Sequence, residues 1–294
     1  MPTSEAGRRV STLGTLLHDT ARRLADVGID DPRLEADVLW MTALDIDRAE
    51  LYARLHDAPA EAQAASAEAL TARRLRREPL AYVTGTREFY GLDLTIRPGV
   101  LVPRPDTETL VDEAIAVLAH RAEPASAIAD IGCGSGAIAV ALAASVPRVR
   151  VHAVDRSPTA VALTRANARR HGLGARVLVH AGDLTAPLPE RVDLIAANLP
   201  YVRSDELPTL EPEVSVFEPA EALDGGADGL DLVRRLLHEA PGHLNPGAAV
   251  LLELDPRQFE AAHEIAAEAM PDARARSVRD LAGRERVLVL ETPA

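Results

Sequence analysis

The stretch Asp130-Ile131-Gly132-Cys133-Gly134-Ser135-Gly136 decides the fold of this chain. An apolar run, Ala125–Ala129, precedes it, and a helical pattern of small residues, Ala137–Ala144, follows it. Three glycines in five positions allow positive φ and let the backbone approach a ligand closely. The following helix N-terminus favours negative charge. Folds that bind NAD, FAD or S-adenosylmethionine (AdoMet) share such a unit, so by itself it does not choose among them.

Three further predicted strands end in polar residues. They are Val149–Val154 before Asp155, Arg176–Ala181 before Gly182-Asp183, and Val192–Ala197 before Asn198-Leu199-Pro200-Tyr201. Because the carboxyl ends of parallel strands meet at one edge of a sheet, these polar groups describe one crevice. Asp155, about 20 residues after the glycine loop, suits the hydroxyls of a ribose, and Asp183 can accept from an adenine amino group. The alternative is a set of ordinary loops between strands and helices.

The composition is that of a globular protein without an obvious polyanionic partner. The chain has 294 residues, of which 47% are hydrophobic and 26% charged, which allows one large domain or two. The formal net charge of −13 argues against general adhesion to nucleic acid or to an anionic membrane, although a local basic patch is compatible with it. No apolar run approaches the ~18 residues of a membrane helix.

Cysteine and histidine usage predicts neither disulfides nor a metal site. The single cysteine, Cys133, excludes an intramolecular disulfide and suits a reducing cytoplasm. We interpret it as a small packing residue of the glycine loop rather than as a nucleophile. The histidines show no metal-ligand spacing with Cys or carboxylates. The N-terminus, Met1–Val10, is polar and shows no signal peptide, so we expect a cytoplasmic protein.

Residues 1–78 are predicted to form a small helical bundle. Apolar residues repeat at helical spacing from Leu13 to Val27, Asp31-Pro32 reads as a helix start, and Asp47 begins a third helix. An alanine-rich helix, Ala60–Arg77, ends in several arginines. We interpret these as cations that suit a helix C-terminus, with a contact surface for a macromolecule as the alternative.

After Pro79 the spacing of apolar residues changes from a helical period to an alternation of period two. Arg87–Tyr90 and Leu92–Ile96 flank Gly91 and predict a β-hairpin, which makes residues 79–102 a linker. Residues 103–294 then alternate between strand and helix patterns, which predicts an α/β domain with a mostly parallel sheet. Two final strands are joined by only Asp280–Glu285, so they are predicted to pair antiparallel at the sheet edge. The long Pro- and Glu-rich segment after Tyr201 is predicted to be functional or mobile.

The tetrapeptide Asn198-Leu199-Pro200-Tyr201 suits methyl transfer from a sulfonium to a planar nitrogen. Such a displacement needs the nitrogen held about 3 Å from the methyl group with its lone pair aimed at it. Amide and exocyclic amine lone pairs are delocalised, so acceptors for both N–H bonds help by stabilising the growing positive charge. The Asn198 side-chain oxygen and the Leu199 carbonyl can be these acceptors, and Tyr201 offers an aromatic face. The alternative is a strand end followed by a proline turn.

These residues resemble a known family, the bacterial peptide chain release factor glutamine methyltransferases, over nearly the whole chain. The matching segments are Pro32–Ala36, Pro79–Tyr82, Glu88-Phe89, Val102–Glu108, the glycine loop with Asp155, Glu211–Val214, Phe217–Pro219, Asp228–Asp231, Asp280, Gly283 and Arg286. The glycine loop is common to AdoMet enzymes. The stretch from Pro103 to Glu108, together with the helical domain, is more specific to this family.

The resemblance implies a class I, Rossmann-like methyltransferase domain over residues 103–294. Its sheet would have seven strands, mostly parallel, with helices on both faces, in addition to the helical bundle and the hairpin linker. The implied activity is AdoMet-dependent methylation of the glutamine amide in the Gly-Gly-Gln motif of class I release factors, which supports translation termination. The implied enzyme is a cytoplasmic monomer that uses no metal and binds neither nucleic acid nor membrane.

The resemblance also implies roles for particular residues. The expected cofactor-binding residues are Gly132, Cys133, Gly134, Ser135, Gly136, Asp155, Asp183, Leu184 and Asn198. The expected catalytic residues, which also bind the substrate, are Asn198, Leu199, Pro200 and Tyr201. Arg104 and Glu108 are expected to shape the acceptor entrance.

Two positions depart from the family pattern. The tetrapeptide of the family is usually Asn-Pro-Pro-Tyr, whereas Leu stands at position 199. Leucine keeps the carbonyl group, and Pro200 keeps position 199 extended. The loss of proline at this position is expected to cost about 0.4–1 kcal/mol of stability through the larger conformational entropy of the unfolded chain. The larger leucine side chain is also expected to narrow the acceptor pocket. The family usually has Ile-Gly where this chain has Leu254-Asp255.

Three other functions remain open at this stage. Related enzymes that methylate a ribosomal protein glutamine tend to carry Arg-Ser-Pro where this chain has Arg104-Pro105-Asp106. Adenine amino-methyltransferases use the same tetrapeptide on an extruded base, but a basic track or a target-recognition domain would then be expected. A non-enzymatic AdoMet-binding module is the third alternative.

Overall fold

The computed structural model describes residues 11–121 and 123–294. The chain forms two compact units that divide between Thr84 and Gly85. The boundaries inferred from the sequence, 1–78, 79–102 and 103–294, stay a prediction. The expectation that Met1–Val10 carries no signal peptide lies outside the described residues.

The first unit is a bundle of helices around one apolar cluster. The helices are α1 (Leu13–Asp26), α2 (Pro32–Leu44), α3 (Arg48–Ala53), α4 (Glu61–Arg74) and α5 (Leu80–Thr84). Asp47 caps α3 by accepting from the Glu50 amide at 2.8 Å, as its place before the helical pattern predicts. Leu17, Leu39 and Trp40 are buried in the cluster. Helix α5 was not predicted, because it is a single short turn that begins directly after Pro79.

The arginines at the end of α4 bind within this unit. Arg73 donates to Glu78, and Arg74 donates from Nε to Glu35 at 2.5 Å. Arg77 donates to the carbonyl oxygens of the segment between α1 and α2. These contacts favour the interpretation of the arginines as structural cations over that of a contact surface.

The second unit begins with the predicted hairpin, formed by β1 (Thr86–Phe89) and β2 (Leu92–Thr95). Asn167 attaches the hairpin to the rest of this unit through two hydrogen bonds. Its Oδ1 accepts from the Thr95 amide at 2.8 Å, and its Nδ2 donates to the Thr95 carbonyl at 3.0 Å.

The main body of the second unit is a seven-stranded sheet with helices on both faces. Its strands are β3 (Ala127–Ile131), β4 (Arg150–Asp155), β5 (Val177–Ala181), β6 (Val192–Ala197), β7 (Leu244–Glu253), β8 (Arg274–Arg279) and β9 (Glu285–Glu291). Its helices are α6 (Glu108–Ala119), α7 (Ala137–Ser145), α8 (Pro158–Arg170), α9 (Pro212–Ser215), α10 (Asp231–Glu239) and α11 (Phe259–Ala269). The predicted sheet of seven strands is thereby confirmed.

The strand order is β5-β4-β3-β6-β7-β9-β8. Strands β3 to β7 run parallel to one another, whereas β9 runs antiparallel to both β7 and β8. The order reverses at β3, which has β4 on one side and β6 on the other. A crevice for a ligand is expected at the carboxyl ends of the strands at such a point. Among the residues that the structure describes, no helix is both long and apolar enough to cross a membrane.

Candidate active site

The glycine loop joins β3 to α7 in a conformation that only glycine adopts readily. Gly132, Gly134 and Gly136 have φ of +76°, +55° and +83°, a region that is unfavourable for other residues. A Cβ on Gly136 would lie 2.8 Å from Thr164 Cγ2, and one on Gly132 would lie 3.0 Å from Leu199 Cδ2. The three glycines are therefore required by backbone conformation, and two of them also by close packing.

Asp155 ends β4 and is oriented by the glycine loop. Its Oδ2 accepts from the Gly134 amide at 2.9 Å, and its Oδ1 accepts from the Ser157 amide at 2.8 Å. Each carboxylate oxygen keeps a further lone pair for a ligand hydroxyl. The carboxylate is thus held in one orientation beside the loop.

Cys133 is buried in the loop, with its Sγ 3.4 Å from Thr164 Oγ1. Burial raises the pKa of its thiol well above the usual range, and the nearby charge of Asp130 adds to this effect. Because the thiolate is the nucleophilic form, these surroundings support the interpretation of Cys133 as a packing residue.

A first cavity of about 1040 Å³, solvent opening included, lies above the loop. Eight of the nine expected cofactor residues line it: Gly132, Cys133, Gly134, Ser135, Asp155, Asp183, Leu184 and Asn198. The ninth, Gly136, precedes α7 as its N-cap residue. The opposite wall comes from the segment after β2, including Val100 and Leu101, for which the sequence predicted no role.

Asp183 and Leu184 follow β5 at one end of this cavity. Asp183 is exposed and pairs with Arg235 of α10 at 2.5 Å. Leu184 is buried and has a positive φ of +43°, which is uncommon for a branched side chain. An apolar side chain and a carboxylate therefore stand together where an adenine ring was expected.

A second cavity of about 770 Å³ lies on the other side of the tetrapeptide. It is mostly apolar, and the segment after Tyr201 supplies part of its wall, including Val202, Leu210 and Val214. Six residues line both cavities: Leu101, Arg104, Asn198, Leu199, Pro200 and Ala222. Tyr201 lines the second cavity alone, so three residues of the tetrapeptide belong to the wall between the two spaces and the fourth faces only the second.

Asn198 comes directly after β6, and its carboxamide is held from one side. Its Nδ2 donates to Thr107 Oγ1 at 3.1 Å. Thr107 is itself buried, in the 3-10 turn that precedes α6. Because Asn198 Nδ2 donates to Thr107, the Asn198 Oδ1 atom remains available to accept a hydrogen bond from a ligand.

Leu199 packs inward at the position where the family usually has proline. Its side chain is 5% exposed, belongs to the core cluster on one face of the sheet, and contacts the glycine loop at Gly132. Much of the additional bulk is thus placed in the core, although the residue still lines both cavities.

The backbone carbonyl of Tyr201, at the end of the tetrapeptide, is contacted by Gln258 and closely approached by Gly229. Gln258 Nε2 donates to the Tyr201 carbonyl at 2.8 Å and to the Asp228 carbonyl at 3.2 Å. A Cβ on Gly229 would lie 2.2 Å from the same Tyr201 oxygen, so glycine is needed for this close approach. Burial raises the pKa of the Tyr201 hydroxyl far above its usual value, and the charge of Glu253 raises it further.

Arg104 and Glu108 occupy different environments. Arg104 lines both cavities and pairs at 2.5 Å with Glu218, whose side chain is 1% exposed and also accepts from the Val102 amide at 3.1 Å. Burial raises the pKa of Glu218, although Arg104 opposes this effect. Glu108 accepts from the Tyr90 amide at 3.0 Å and lines neither cavity, so it lies apart from the tetrapeptide.

Sequence reasoning assigned no role to Glu218, Glu253 or Gln258. A signal was present for Gln258, because Asp255 and Gln258 have the spacing of a capping box and form one in the structure. Glu218 stands in a segment that carried the family resemblance, but its partner Arg104 is far away in sequence. Among the residues described by the structure, no three His, Cys, Asp or Glu side chains are grouped to hold a metal ion.

Comparison with known proteins assigns the family. A family model described as the PrmC N-terminal domain matches residues 15–85, and one described as the methyltransferase small domain matches residues 107–212. The release factor glutamine methyltransferase of Geobacter sulfurreducens is 46% identical over 85% of this chain and 86% of that protein. The corresponding protein of Moorella thermoacetica is 44% identical over 94% and 96%. This chain belongs to the release factor glutamine methyltransferase family.

The fold also matches that of a distant methyltransferase of known structure. The methyltransferase from Pyrococcus furiosus superposes with a TM-score of 0.52 at 19% identity, covering 76% of this chain and 100% of that one. This similarity supports the fold alone. As a member of the release factor glutamine methyltransferase family, the protein is an AdoMet-dependent methyltransferase.

The first cavity has the shape and the polar groups that AdoMet requires. Gly132 and Gly134 line it without a side chain. Asp155 offers fixed acceptors for ribose hydroxyls, and Asp183 and Leu184 offer a carboxylate and an apolar surface to a base. The residues of this chain therefore fit the cofactor of the release factor glutamine methyltransferases.

Proposed function

We propose that this protein methylates the side-chain amide nitrogen of the glutamine in the Gly-Gly-Gln motif of class I peptide chain release factors, and so supports translation termination. The observation that carries this proposal is the wall that the two cavities share. Asn198, Leu199 and Pro200 line both the cavity above the glycine loop and the cavity beyond the tetrapeptide. A donor and an acceptor that entered from opposite sides would meet at these residues.

In this proposal the glycine loop and three strand ends hold the donor. Gly132, Gly134 and Gly136, with Cys133 and Ser135 between them, shape the loop, and Asp155 accepts from the ribose hydroxyls. Asp183 and Leu184 contact the adenine. When bound, AdoMet supplies an electrophilic methyl group on its sulfonium sulfur.

The tetrapeptide holds the acceptor amide. Asn198 Oδ1 and the Leu199 carbonyl accept from the two amide N–H bonds, which aims the nitrogen lone pair and stabilises the positive charge that grows there. Pro200 keeps Leu199 extended, and Tyr201 packs on the planar amide. Arg104 shapes the entrance in this proposal, together with Glu108, which begins the helix that follows it.

No side chain is needed as a strong base. An alkylated amide nitrogen is acidic and releases its proton to water. The carboxylates that line the second cavity are Glu206 and Asp255, and both pair with Arg257, at 2.8 Å and 2.9 Å. Burial alone would raise the pKa of Asp255, but its contacts with Arg257 outweigh this effect and lower the pKa, which favours the charged, weakly basic form of this carboxylate.

The partner is proposed to be a protein rather than a nucleic acid. Both arginines of the second cavity, Arg104 and Arg257, pair with carboxylates, whereas binding to a phosphate backbone uses cations that are free to neutralise it. We further propose that residues 1–78 contribute to binding of the release factor, that residues 79–102 link them to the catalytic domain, and that the enzyme works in the cytoplasm as a monomer without a metal.

The test is methyl transfer from labelled AdoMet to a purified class I release factor, with mass spectrometry to locate the label. A release factor in which the motif is changed to Gly-Gly-Ala is the matched control. We expect label on the motif glutamine and none in the control. Label that is absent, or that is equal in the two proteins, would contradict the proposal, and ribosomal proteins and then nucleic acid would be tested next.

A further inference from the structure

A buried carboxylate with no assigned role lies beside the tetrapeptide. Glu253 is the last residue of β7, and the pairing of Ala197 with Leu252 places Asn198 next to it across the parallel strands. Glu253 is 2% exposed. Neither of its oxygens makes a hydrogen bond of good geometry to the described residues. Buried carboxylates are rare unless they are partnered, so this position calls for an explanation.

The groups around Glu253 come from three segments: the turn before α6, the tetrapeptide and β9. Thr107 and Asn198 lie near enough to lower the pKa of Glu253, as does the charge of Arg286 on β9, whereas Asp106 raises it. Burial outweighs the lowering contributions and raises this pKa to about 7. Tyr201 also faces this carboxylate.

The charge of Arg286 is shared with other carboxylates. Its guanidinium pairs with Asp106 at 2.9 Å and with Asp280 at 3.3 Å. The carboxyl group of Glu253 is therefore not committed to an ion pair, and it stands next to the carboxamide that is proposed to hold the acceptor amide.

The Thr107 hydroxyl cannot by itself fix the orientation of the Asn198 carboxamide. A hydroxyl both donates and accepts, so it can bind either Nδ2 or Oδ1 of an asparagine. An ionised carboxylate only accepts. When Glu253 is ionised, only the Nδ2 atom of Asn198 can face Glu253 and Thr107 favourably.

We infer that Glu253 is a positioning residue, whose carboxylate keeps Asn198 Nδ2 turned inward and Asn198 Oδ1 turned toward the acceptor amide. This role rests on the proposed function. Once protonated, Glu253 can donate a hydrogen bond to Oδ1, and the inverted carboxamide then presents a donor to the acceptor amide. The orientation that supports transfer is therefore present above the pKa of Glu253 and is lost as the pH falls through it.

The orientation can be followed without any enzyme assay. The chain has three asparagines, Asn167, Asn198 and Asn245, so selective 15N labelling of asparagine side chains gives three carboxamide signals. Asn167 donates to the Thr95 and Ser135 carbonyls, and Asn245 donates to Asp193, so these two are internal controls. An Asn198→Ala variant of the full-length protein identifies the third signal.

We expect the Asn198 signal to shift with pH, with an inflection near the Glu253 pKa of about 7, while the other two signals stay constant. In Glu253→Gln, which is close to isosteric, this inflection is absent. An Asn198 signal that follows the same pH curve in both proteins, or that does not change with pH in the wild type, would overturn the inference.

Kinetic constants of a Glu253 variant distinguish a positioning role of this residue from a role in folding. We expect Glu253→Gln to lower kcat for release factor methylation by about 10- to 100-fold at alkaline pH, as for a misplaced catalytic group, with the AdoMet Kd and the KM for the release factor within about twofold. The wild-type rise of kcat with pH would be lost. Glu291→Gln, at the opposite end of β9, is the matched control and should behave as wild type.

The asparagine signals and the kinetic measurements together distinguish a failure of this inference from a failure of the proposed function. A Glu253→Gln enzyme with an unchanged kcat and an unchanged pH profile would contradict the positioning role. If wild-type enzyme failed to label the release factor, the proposed function would be wrong, and the asparagine signals would still decide the orientation.

Discussion

At the residue scale, the conformation of the glycine loop could be predicted because local sequence specifies it. The glycines at 132, 134 and 136 are required by φ, and Asp155 follows its strand at the expected distance. Thr107 and Glu253 could not be found in this way. They reach Asn198 only through the register of β6 with β7 and through the position of the turn before α6, neither of which a sequence pattern encodes.

A substitution at Leu199 tests whether its backbone carbonyl or its side chain contributes to methyl transfer. We expect Leu199→Ala to lower the free energy of unfolding by about 2 to 3 kcal/mol, because a buried leucine is removed from a packed core. We expect kcat to change less than about threefold, since the proposed role belongs to the carbonyl. Urea unfolding and methyl transfer measure the two effects.

Leu142→Ala is the matched control for Leu199→Ala, because Leu142 is fully buried in α7 and lines neither cavity. It should lose stability without losing activity. A Leu199→Ala enzyme that stayed as stable as wild type but lost most of its kcat would show that the side chain is the functional group.

At the scale of elements, the sequence predicted seven strands and the antiparallel final pair, but not the place of β9. A short connection fixes the pairing of β8 with β9 without saying which of them joins β7. Burial decides this: Val287, Leu288, Val289 and Leu290 of β9 are almost completely buried, whereas β8 carries three arginines and is mostly exposed or half-buried. An arginine-rich strand suits an edge, and this order brings Arg286 next to Glu253.

The ion pair between Arg104 and Glu218 joins the segment before α6 to the segment after Tyr201. We expect Arg104→Met to cost about 1 to 3 kcal/mol of unfolding free energy, because a buried carboxylate then loses its charged partner. Burial already raises the pKa of Glu218, and Arg104 opposes this, so removing Arg104 raises it further.

This pKa change fixes the sign of the pH dependence. A carboxyl group whose pKa is raised by folding costs stability where it must be charged and none where it is protonated. The deficit of Arg104→Met relative to wild type should therefore be larger at about pH 8 than at about pH 5 in urea unfolding. Arg170→Met, an exposed change on α8, is the control. A deficit that is independent of pH would contradict the burial of a charged Glu218.

At the scale of the whole molecule, the two units have separate apolar cores. One cluster contains residues between Leu13 and Val83, and the other contains residues between Ala127 and Leu290. The change of periodicity after Pro79 predicts a domain boundary there, which stays a prediction, and the two compact units divide after Thr84. The residues that line the two cavities all belong to the second unit.

Removing the first unit tests its proposed role in substrate binding. We expect a fragment of residues 85–294 to bind AdoMet with a Kd within about threefold of the full chain, because every wall of the first cavity is retained. Its kcat/KM for a release factor should fall at least about tenfold, since remote contacts to the substrate are lost. Undiminished methylation by a fragment that binds AdoMet normally would contradict the role of the helical unit.

The central claim is that the Asn198 carboxamide oxygen holds the acceptor amide, and the most direct test is single-turnover methyl transfer by Asn198→Ala. With AdoMet binding measured by calorimetry on the same preparation, we expect transfer to a release factor to fall at least about 100-fold and the AdoMet Kd to stay within about threefold. An Asn198→Ala enzyme that binds AdoMet normally and keeps more than about a tenth of the wild-type rate would show that the acceptor amide is held elsewhere.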